Sequence, residues 1–276
     1  MELINSIILG LVQGLSEFLP ISSSGHLVLA QHILGFKDEN AAFEIMVHFG
    51  TLLSVFVYFK DDISNLLKNG FKHMIPFIKY AFLGLKKNVN SSDLYSPYYL
   101  WFILISMIPA GYVGVTYKDE IELLFTDIRV VLACLMGTGI LMVLSRFTKE
   151  TDRKFGGFSA FLIGCVQALA ILPGVSRSGS TIVAGMFMGF KQEFIAKFSF
   201  LMSLPVVAGA FILKLDELLA MELSSSQWIN YSVGTIASAI SGYFAIKLVM
   251  DFVKKGKFQY FGYYCIAVSA LGWFLI

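Results

Sequence analysis

Charged residues are scarce in this sequence, since Asp, Glu, Lys and Arg make up only 14% of its 276 residues. A soluble domain carries about 25% charged residues, whereas here 57% of the residues are hydrophobic and the mean hydropathy is +0.73. The formal net charge of +2 offers no attraction for nucleic acid. The composition therefore excludes an ordinary soluble domain and predicts an integral membrane protein.

Cysteines are also few. Cys134, Cys165 and Cys265 stand singly in apolar runs without CxxC spacing, which favours buried packing over a disulfide framework or a thiolate metal site. The sequence has no P-loop, kinase signature, HExxH or nucleotide-binding glycine pattern. Glu2 stands where a signal peptide carries Lys or Arg, so we expect the N-terminal segment to be retained.

Long stretches without charge are abundant, and each is close to the roughly 20 residues that a helix needs to cross a bilayer. We predict spanning helices over residues 43–59, 98–116, 130–146, 198–213, 229–250 and 259–276. The mixed pattern of residues 68–87 indicates an amphipathic helix at the membrane interface.

One stretch of seventeen residues occurs twice. Gly10–His26 reads GLVQGLSEFLPISSSGH and Gly164–Ser180 reads GCVQALAILPGVSRSGS, at a constant offset of 154. Each copy is an apolar run broken by proline, then a turn of hydroxyls and glycine, then a second apolar run. We interpret the chain as one membrane domain, residues 1–276, with an internal repeat over about 1–150 and about 155–276.

Loop charges predict the orientation of the repeats. Residues 60–97 and 146–154 are rich in Lys and Arg, which favours the cytoplasmic side. The equivalent helices 43–59 and 198–213 then run in opposite directions, as in an inverted-topology repeat. We therefore predict an all-α polytopic membrane protein with six transmembrane helices and two re-entrant helix–loop–helix hairpins, residues 6–40 from outside and 158–190 from inside. In a bacterium this is a plasma-membrane protein whose two termini and site opening lie outside.

Polar groups at membrane depth are energetically costly, so each one suggests a function. The first hairpin supplies Gln13, Glu17, Ser22, Ser23, Ser24 and His26. Gln13 and Glu17 are four residues apart and share one face of a helix. His26 is the one group of this set whose ordinary titration range is near neutral pH, which suits a general acid or base.

The second hairpin looks like an anion site. Its polar and glycine residues are Gln167, Gly174, Ser176, Arg177, Ser178, Gly179, Ser180 and Thr181. The run SRSGST precedes an apolar stretch, so its amides should lie at a helix N-terminus beside a permanent guanidinium charge, a combination suited to phosphate. Serine and glycine runs also serve close helix packing in membranes, but Arg177 lies too far from either basic loop to reach the interface.

Glu44 and His48 are one helical turn apart on the predicted helix 43–59. They could satisfy each other or support a neighbouring site as outer-shell residues. His32 and His73 are interpreted as ordinary polar positions.

A phosphate-binding turn, an arginine, a glutamate, a histidine and several hydroxyls together suit phosphoryl transfer. A lipid substrate follows from the location, because its tail can stay in the membrane. The nucleophile stays open between Ser23, His26 and a water activated by Glu17 and His26. A transporter or flippase for a lipid or anion is the alternative, because inverted repeats with broken helices are typical of transporters; a structural subunit is a third hypothesis.

At these residues the sequence resembles the bacterial undecaprenyl-diphosphate phosphatase family, the bacitracin-resistance membrane proteins. The resemblance covers nearly the whole length. The carrying motifs are Gln13-Gly14-Leu15-Ser16-Glu17 with Ser22-Ser23-Ser24-Gly25-His26, and Pro173-Gly174-Val175-Ser176-Arg177-Ser178-Gly179-Ser180-Thr181. Ser24-Gly25-His26 is also similar to an element of acid-phosphatase-like lipid phosphatases, but the second histidine of that group is missing after Arg177.

The resemblance implies hydrolysis of undecaprenyl diphosphate on the outer face, which recycles the lipid carrier for cell-wall (peptidoglycan) synthesis and gives bacitracin resistance. It also implies a divalent cation, Mg or Ca, with Glu17 as metal ligand or acid–base group. Arg177 would hold the diphosphate, and Ser23 and His26 would lie at the reacting phosphorus. Many relatives have Glu where this chain has Gln13, so that position is not expected to be essential here. A homodimer is compatible with small residues on the spanning helices.

Overall fold

The structure, a computed structural model, describes residues 3–34, 42–75, 88–90, 96, 98–221 and 223–275. Most of them are helical, which confirms the predicted all-α membrane class. The helices are α1 Leu3–Phe18, α2 Ser23–Ile33, α3 Ala42–Tyr58, α4 Lys60–Lys72, α5 Tyr99–Thr116, α6 Lys118–Leu124, α7 Ile128–Leu144, α8 Gly157–Leu169, α9 Arg177–Phe187, α10 Gln192–Ala220, α11 Ser225–Lys254 and α12 Gln259–Leu275. A short 3₁₀ helix, Ser145–Phe147, extends α7.

Among the described residues, four helices are long and apolar enough to cross a membrane: α5, α7 with its extension, α10 and α11. Helices α3 and α4 meet the same criterion as a pair, although the chain bends by 78° between them. Helix α12 is slightly shorter, at 17 residues. The multi-pass prediction is confirmed, whereas the count of six spans stays a prediction.

Helix α10 is longer than the predicted 198–213. It has 29 residues and is therefore about 44 Å long, against a hydrocarbon core of about 30 Å. The prediction stopped where charges begin, but the helix continues through Glu193 at one end and Lys214 and Asp216 at the other. Charged ends that extend beyond the hydrocarbon core carry no burial cost, so helical hydrogen bonding continues there.

Both predicted hairpins consist of short helices separated by a turn. Helix α1 has 16 residues and α8 has 13, lengths of about 24 and 20 Å that do not span a bilayer core. Helices α2 and α9 have 11 residues each. The breaks therefore occur where the prolines and glycines of the repeat predict them.

Close glycine contacts join the hairpins to the long helices. Helix α1 packs mainly against α11, and α8 packs mainly against α5. A Cβ atom at Gly10 would collide with the carbonyl oxygen of Gly234, and one at Gly164 would collide with the carbonyl oxygen of Ser106. The two glycines occupy the same place in the repeat, and each allows the first helix of its own hairpin to approach a backbone from the other half of the chain.

A two-stranded antiparallel sheet was not predicted. Strand β1, Asn88–Asn90, pairs with β2, Lys154–Gly156, and Val89 lies opposite Phe155. Three residues per strand are too few for a period-two pattern to be recognised in the sequence. The pairing brings the two basic loops together, as expected if both lie on one side of the membrane.

The predicted amphipathic segment 68–87 is described only in part. Helix α4 begins at Lys60, ahead of that segment, and it buries Leu66 and Gly70 while Leu67 and Phe71 are exposed. Residues 76–87 lie outside the described residues, so the rest of the segment stays a prediction.

Candidate active site

Each hairpin reverses direction through a residue with positive φ. In the first turn this residue is Ser22, with φ of 70°, and in the second it is Gly174, with φ of 85°. A non-glycine residue in this region is uncommon. Gly174 also has no room for a Cβ atom, which would collide with the carbonyl oxygen of Val131. The chain thus accepts local strain to place serine at the first turn.

Serines cap the second helix of each hairpin in matching ways. The Ser22 hydroxyl accepts from the Gly25 amide at 3.4 Å and lies 3.3 Å from the Ser24 hydroxyl. In the second hairpin, Ser176 accepts from the Gly179 amide at 3.1 Å and lies 3.4 Å from the Ser178 hydroxyl. The predicted helix N-terminus at SRSGST is confirmed. These hydroxyls do the capping that serine is favoured for at helix starts.

The two turns touch, because the Gly174 amide donates to Ser24 Oγ at 3.4 Å. Their first helical residues, Ser23 and Arg177, are equivalent in the repeat. Both reach Glu17 near the end of α1: Ser23 Oγ donates to Glu17 Oε2 at 2.6 Å, and Arg177 Nη2 donates to Oε1 at 2.6 Å. The hairpins therefore meet at one carboxylate.

Two further groups surround Glu17, whose side chain is 9% exposed. Gln13 Nε2 donates to Oε2 at 3.1 Å, and His48 Nε2 lies 3.9 Å from the same oxygen. His48 is oriented by its Nδ1, 2.8 Å from the Glu44 backbone carbonyl. A buried carboxylate needs such a set of charged and donor partners to remain ionised.

A cavity of about 560 Å³ opens beside this cluster. Nine of the predicted site residues line it: Glu17, Ser22, Ser23, Ser24, Glu44, His48, Gln167, Ser176 and Arg177. The remainder of the wall is mostly apolar, and most of it comes from α5 and α10. The site thus combines a polar end at the turns with an apolar extension between two long helices.

Other predicted site residues lie outside the cavity lining. His26 faces α12, where its Nε2 is 2.9 Å from the Tyr264 hydroxyl and its ring stacks on that tyrosine; its Nδ1 is 2.9 Å from the Ser22 carbonyl. Thr181 bonds to the buried Ser199 hydroxyl at 2.7 Å. The members of the predicted site that lie behind the cavity surface are Gln13, His26, Gly174, Ser178, Gly179 and Thr181.

Two carboxylates of the site are candidate ligands for a divalent cation. Within the described part of the chain, no group of three or more His, Cys, Asp or Glu side chains is arranged to hold a metal ion. Glu17 and Glu44 do line one cavity, and Mg²⁺ is commonly held by one or two carboxylates together with substrate phosphates. The residues present therefore fit a cation that arrives with a phosphorylated substrate.

Several residues that line the cavity were not predicted from the sequence as part of the site. Small side chains on both walls leave space for an apolar ligand, namely Ala110, Gly111 and Gly114 on α5 with Gly209 and Ala210 on α10. Lys214 adds a second cation to the lining. The glycines were visible in the sequence, but small residues in spanning helices equally indicate helix contacts, so only the fold reveals that they border a cavity.

Comparison with known proteins agrees with the resemblance. Residues 6–271 match the family model described as "Bacitracin resistance protein BacA". The chain is 38% identical over 273 residues to a protein of Salinibacter ruber named undecaprenyl-diphosphatase, with 98% of each chain covered. It is 37% identical over 275 residues to proteins of the same name from Halothermothrix orenii, covering 98% of this chain and 97% of that protein, and from Alkaliphilus metalliredigens, covering 98% of both.

Proposed function

This chain belongs to the bacitracin resistance protein BacA family, and from that premise we propose that it hydrolyses undecaprenyl diphosphate to undecaprenyl phosphate and inorganic phosphate. The observation that carries the proposal is the convergence of Ser23 and Arg177 on Glu17 beside the cavity. A hydroxyl, a base and a fixed cation are what phosphoryl transfer requires. The relatives are named for this hydrolysis, so a transporter is not favoured.

The diphosphate would bind at the polar end of the cavity. Arg177 and the N-terminus of α9 supply positive charge there, a guanidinium together with the helix dipole. The prenyl chain would run along the apolar wall between α5 and α10. A cavity of about 560 Å³ is the size that holds a drug-sized ligand, so most of a long polyprenyl chain would remain in the lipid.

This placement is testable with two glycines. A Cβ atom at Gly209 would meet nothing within 4 Å among the described residues, and the same is true at Gly137, which lies outside the cavity lining. Gly209→Leu should therefore fill the apolar wall and raise KM for a long-chain diphosphate roughly tenfold, the effect of a misfit of one or two methylenes. Gly137→Leu is the control. Equal KM values for both variants would refute the placement.

The Ser23 hydroxyl is the nucleophile in this proposal. Its proton would pass to Glu17 Oε2, to which it already donates. The oxygen would attack the terminal phosphorus, a P–O bond would form to Ser23, and the bond from that phosphorus to the bridging oxygen would break. Undecaprenyl phosphate leaves with the bridging oxygen. Water then attacks the phosphorus of the phosphoserine, and the bond from that phosphorus to Ser23 Oγ breaks. One proton of the water passes to Ser23 Oγ, the other leaves with inorganic phosphate, and Glu17 releases to solvent the proton it had taken from Ser23.

Arg177 would have two roles in this sequence. In the structure it neutralises Glu17 through Nη2. A bound diphosphate would compete for the guanidinium and leave Glu17 free to accept the serine proton. Arg177 would then stabilise the charge that develops on the transferred group.

His26 would support the turn in this proposal. Its Nδ1 is hydrogen-bonded to the Ser22 carbonyl, directly before Ser23. Attack by His26, or its use as an acid–base group, would require it to leave Tyr264 and turn towards the cavity. Comparing His26→Ala with Tyr264→Phe separates the two roles, because a supporting histidine should show partial losses in both variants.

We further propose that a divalent cation enters with the diphosphate, held by Glu17 or Glu44 and the phosphate oxygens. When bound it would supply positive charge to the phosphates.

We also propose the inverted topology, with six spans, two re-entrant hairpins and a site that opens outside. The pairing of Asn88–Asn90 with Lys154–Gly156 supports one side for both basic loops. Cysteine labelling at residues 92 and 225 tests this, because labelling of both from the same side would contradict the map.

The deciding experiment is phosphate release from a polyprenyl diphosphate by the detergent-purified protein, with and without added Mg²⁺ or Ca²⁺. Wild-type protein should release phosphate in detergent, where there are no two sides to transport between. Ser23→Ala and Arg177→Ala should abolish the release. A well-folded wild-type protein that releases no phosphate under any cation condition would overturn the proposed function.

A further inference from the structure

Gln167 on α8 is a buried amide without a protein partner. Its side chain is 2% exposed, and neither its nitrogen nor its oxygen makes a hydrogen bond to any residue that the structure describes. It also lines the cavity beside the two turns. Buried polar groups in proteins are nearly always hydrogen-bonded, so an amide left unpaired at a cavity wall suggests a ligand that is not present.

The internal repeat explains why this amide is unpaired. Gln167 is the counterpart of Gln13, which is equally buried and whose Nε2 donates to Glu17, four residues ahead. Four residues after Gln167 stands Ile171, whose side chain has no hydrogen-bond acceptor. The donor is thus present in both hairpins, whereas the carboxylate that receives it is present in only one.

A second unpaired donor lines the same cavity. Arg177 uses Nη2 for its contact with Glu17, while its Nη1 is buried and has no hydrogen-bond partner in the described residues. Arg177 and Gln167 both line the cavity, on different helices. One cationic and one neutral N–H donor at a single cavity match an oxyanion, because phosphate oxygens accept several hydrogen bonds at once.

We propose that Gln167 is a substrate-binding residue that donates its Nε2 hydrogen to a phosphate oxygen of the diphosphate, next to the bond from Arg177 Nη1. The inference deepens the proposed hydrolysis and rests on it. The two repeat-related glutamines thereby serve opposite partners: Gln13 holds the carboxylate of the protein, and Gln167 holds the anion of the substrate.

The test compares Gln167→Leu with Gln167→Glu in detergent-purified protein. A polyprenyl diphosphate serves as substrate, inorganic pyrophosphate serves as competitive probe, and thermal unfolding is recorded for each variant. Loss of a hydrogen bond to a charged group corresponds to roughly a tenfold change or more in affinity. We expect Gln167→Leu to raise KM and the pyrophosphate inhibition constant about tenfold, with a larger rise for Gln167→Glu because a carboxylate would face the phosphate.

Stability separates binding from packing. Gln167→Leu removes an unpaired buried amide, so its melting temperature should be unchanged or higher. Cys165→Ala, on the same helix and outside the cavity lining, is the control for a substitution in α8. A lower melting temperature with unchanged KM would mean that Gln167 is structural and would overturn the inference.

Two outcomes keep this inference separate from the proposed function. If wild-type protein releases phosphate and Gln167→Glu binds substrate and pyrophosphate as wild type does, the inference fails while the function stands. If wild-type protein releases none but pyrophosphate protects it against thermal unfolding, and Gln167→Glu loses that protection, the anion site stands without the hydrolysis.

Discussion

The two broken-helix hairpins share the same helix caps and glycine contacts, but they carry different side chains at equivalent positions of the repeat. In each one a serine caps the second helix, and a glycine of the first helix contacts a backbone from the other half of the chain. The positions of Glu17, Ser23 and His26 are occupied in the second hairpin by Ile171, Arg177 and Ser180. The backbone frame, meaning the capped helices and their glycine contacts, is therefore repeated, whereas the chemical groups that it carries are not.

This difference shows how a duplicated frame can produce one site. Because Ser23 and Arg177 occupy equivalent first positions of their helices, both point at the meeting line of the two turns, where Glu17 receives them. Two identical hairpins would place two acids or two cations there, which repel each other. Because the two hairpins differ at these positions, the structure has an ion pair between Glu17 and Arg177 with the Ser23 hydroxyl beside it, in place of two like charges facing each other.

The largest effect is expected when the second turn is made like the first. Arg177→Ser gives the second turn the sequence SSSG that the first turn has. Activity should fall about 10³-fold or more, since an arginine that stabilises a transferred phosphoryl group contributes about 10³ to 10⁵. The measurement is the initial rate of phosphate release. Arg177→Lys, which retains charge and loses the planar fork, should recover part of the rate, and equal rates for the two variants would argue against a charge role.

A second comparison concerns the acid and its apolar counterpart. Glu17→Gln preserves shape but removes the base for Ser23, so kcat should fall about 10²- to 10⁴-fold, the usual contribution of general acid–base catalysis. Ile171→Val, at the equivalent position, removes one methylene from the apolar part of the cavity lining and takes no part in proton transfer, so kcat should change less than about twofold. Steady-state kinetics measure both. Similar losses in the two variants would show that the position matters for packing alone.

The glycines should respond alike, because they belong to the repeated frame. Gly10→Ala and Gly164→Ala each force a Cβ atom against a carbonyl oxygen of a neighbouring helix, and overpacking costs about 1 to 3 kcal/mol. Thermal unfolding in detergent should show a lower melting temperature for both. Gly137→Ala, which meets no atom within 4 Å in the described structure, should be neutral or slightly stabilising. Loss of stability in only one of the variants Gly10→Ala and Gly164→Ala would show that the two glycines are not structurally equivalent.

The smallest effect is expected at the caps. Ser176→Ala removes the acceptor of the Gly179 amide at 3.1 Å, and Ser22→Ala removes that of the Gly25 amide at 3.4 Å. Loss of a serine cap typically costs about 1 kcal/mol, and the longer bond at Ser22 should cost less. Unfolding of the two variants under identical conditions measures the difference. A greater loss at Ser22→Ala would mean that other contacts of Ser22 outweigh its capping bond.

Much of the frame could be predicted from the sequence because local rules govern it. The offset of 154 revealed the repeat, charge-poor stretches indicated spanning helices, and the run SRSGST indicated a helix N-terminus, which the structure confirms. Ends of helices were less predictable, since α10 continues through Glu193 at one end and through Lys214 and Asp216 at the other. The β1–β2 pairing depends on residues far apart in sequence and leaves no local pattern.

The site was predicted as a set of residue types and not as an arrangement. His26 and Ser23 were grouped because they are neighbours in sequence, yet Ser23 contacts Glu17 and His26 contacts Tyr264. How helix α2 is rotated depends on tertiary packing, and no spacing rule within the hairpin determines it. The spacing of Gln13 and Glu17 was visible in the sequence, whereas only the fold shows that Gln167 makes no hydrogen bond to a described residue and lines the cavity.

The close contact between Gly10 and Gly234 has a consequence for biosynthesis. The helix that Gly10 packs against is made about 220 residues later in the chain. At ribosomal speeds of about 5 to 20 residues per second, the first hairpin waits on the order of 10 to 40 s for its partner. During that interval the glycine face of α1 lacks Gly234, and Glu17 lacks Arg177 until that residue is made. Within this chain the first hairpin is therefore made well before the helix that completes its packing, and assistance from the insertion machinery would matter during that interval.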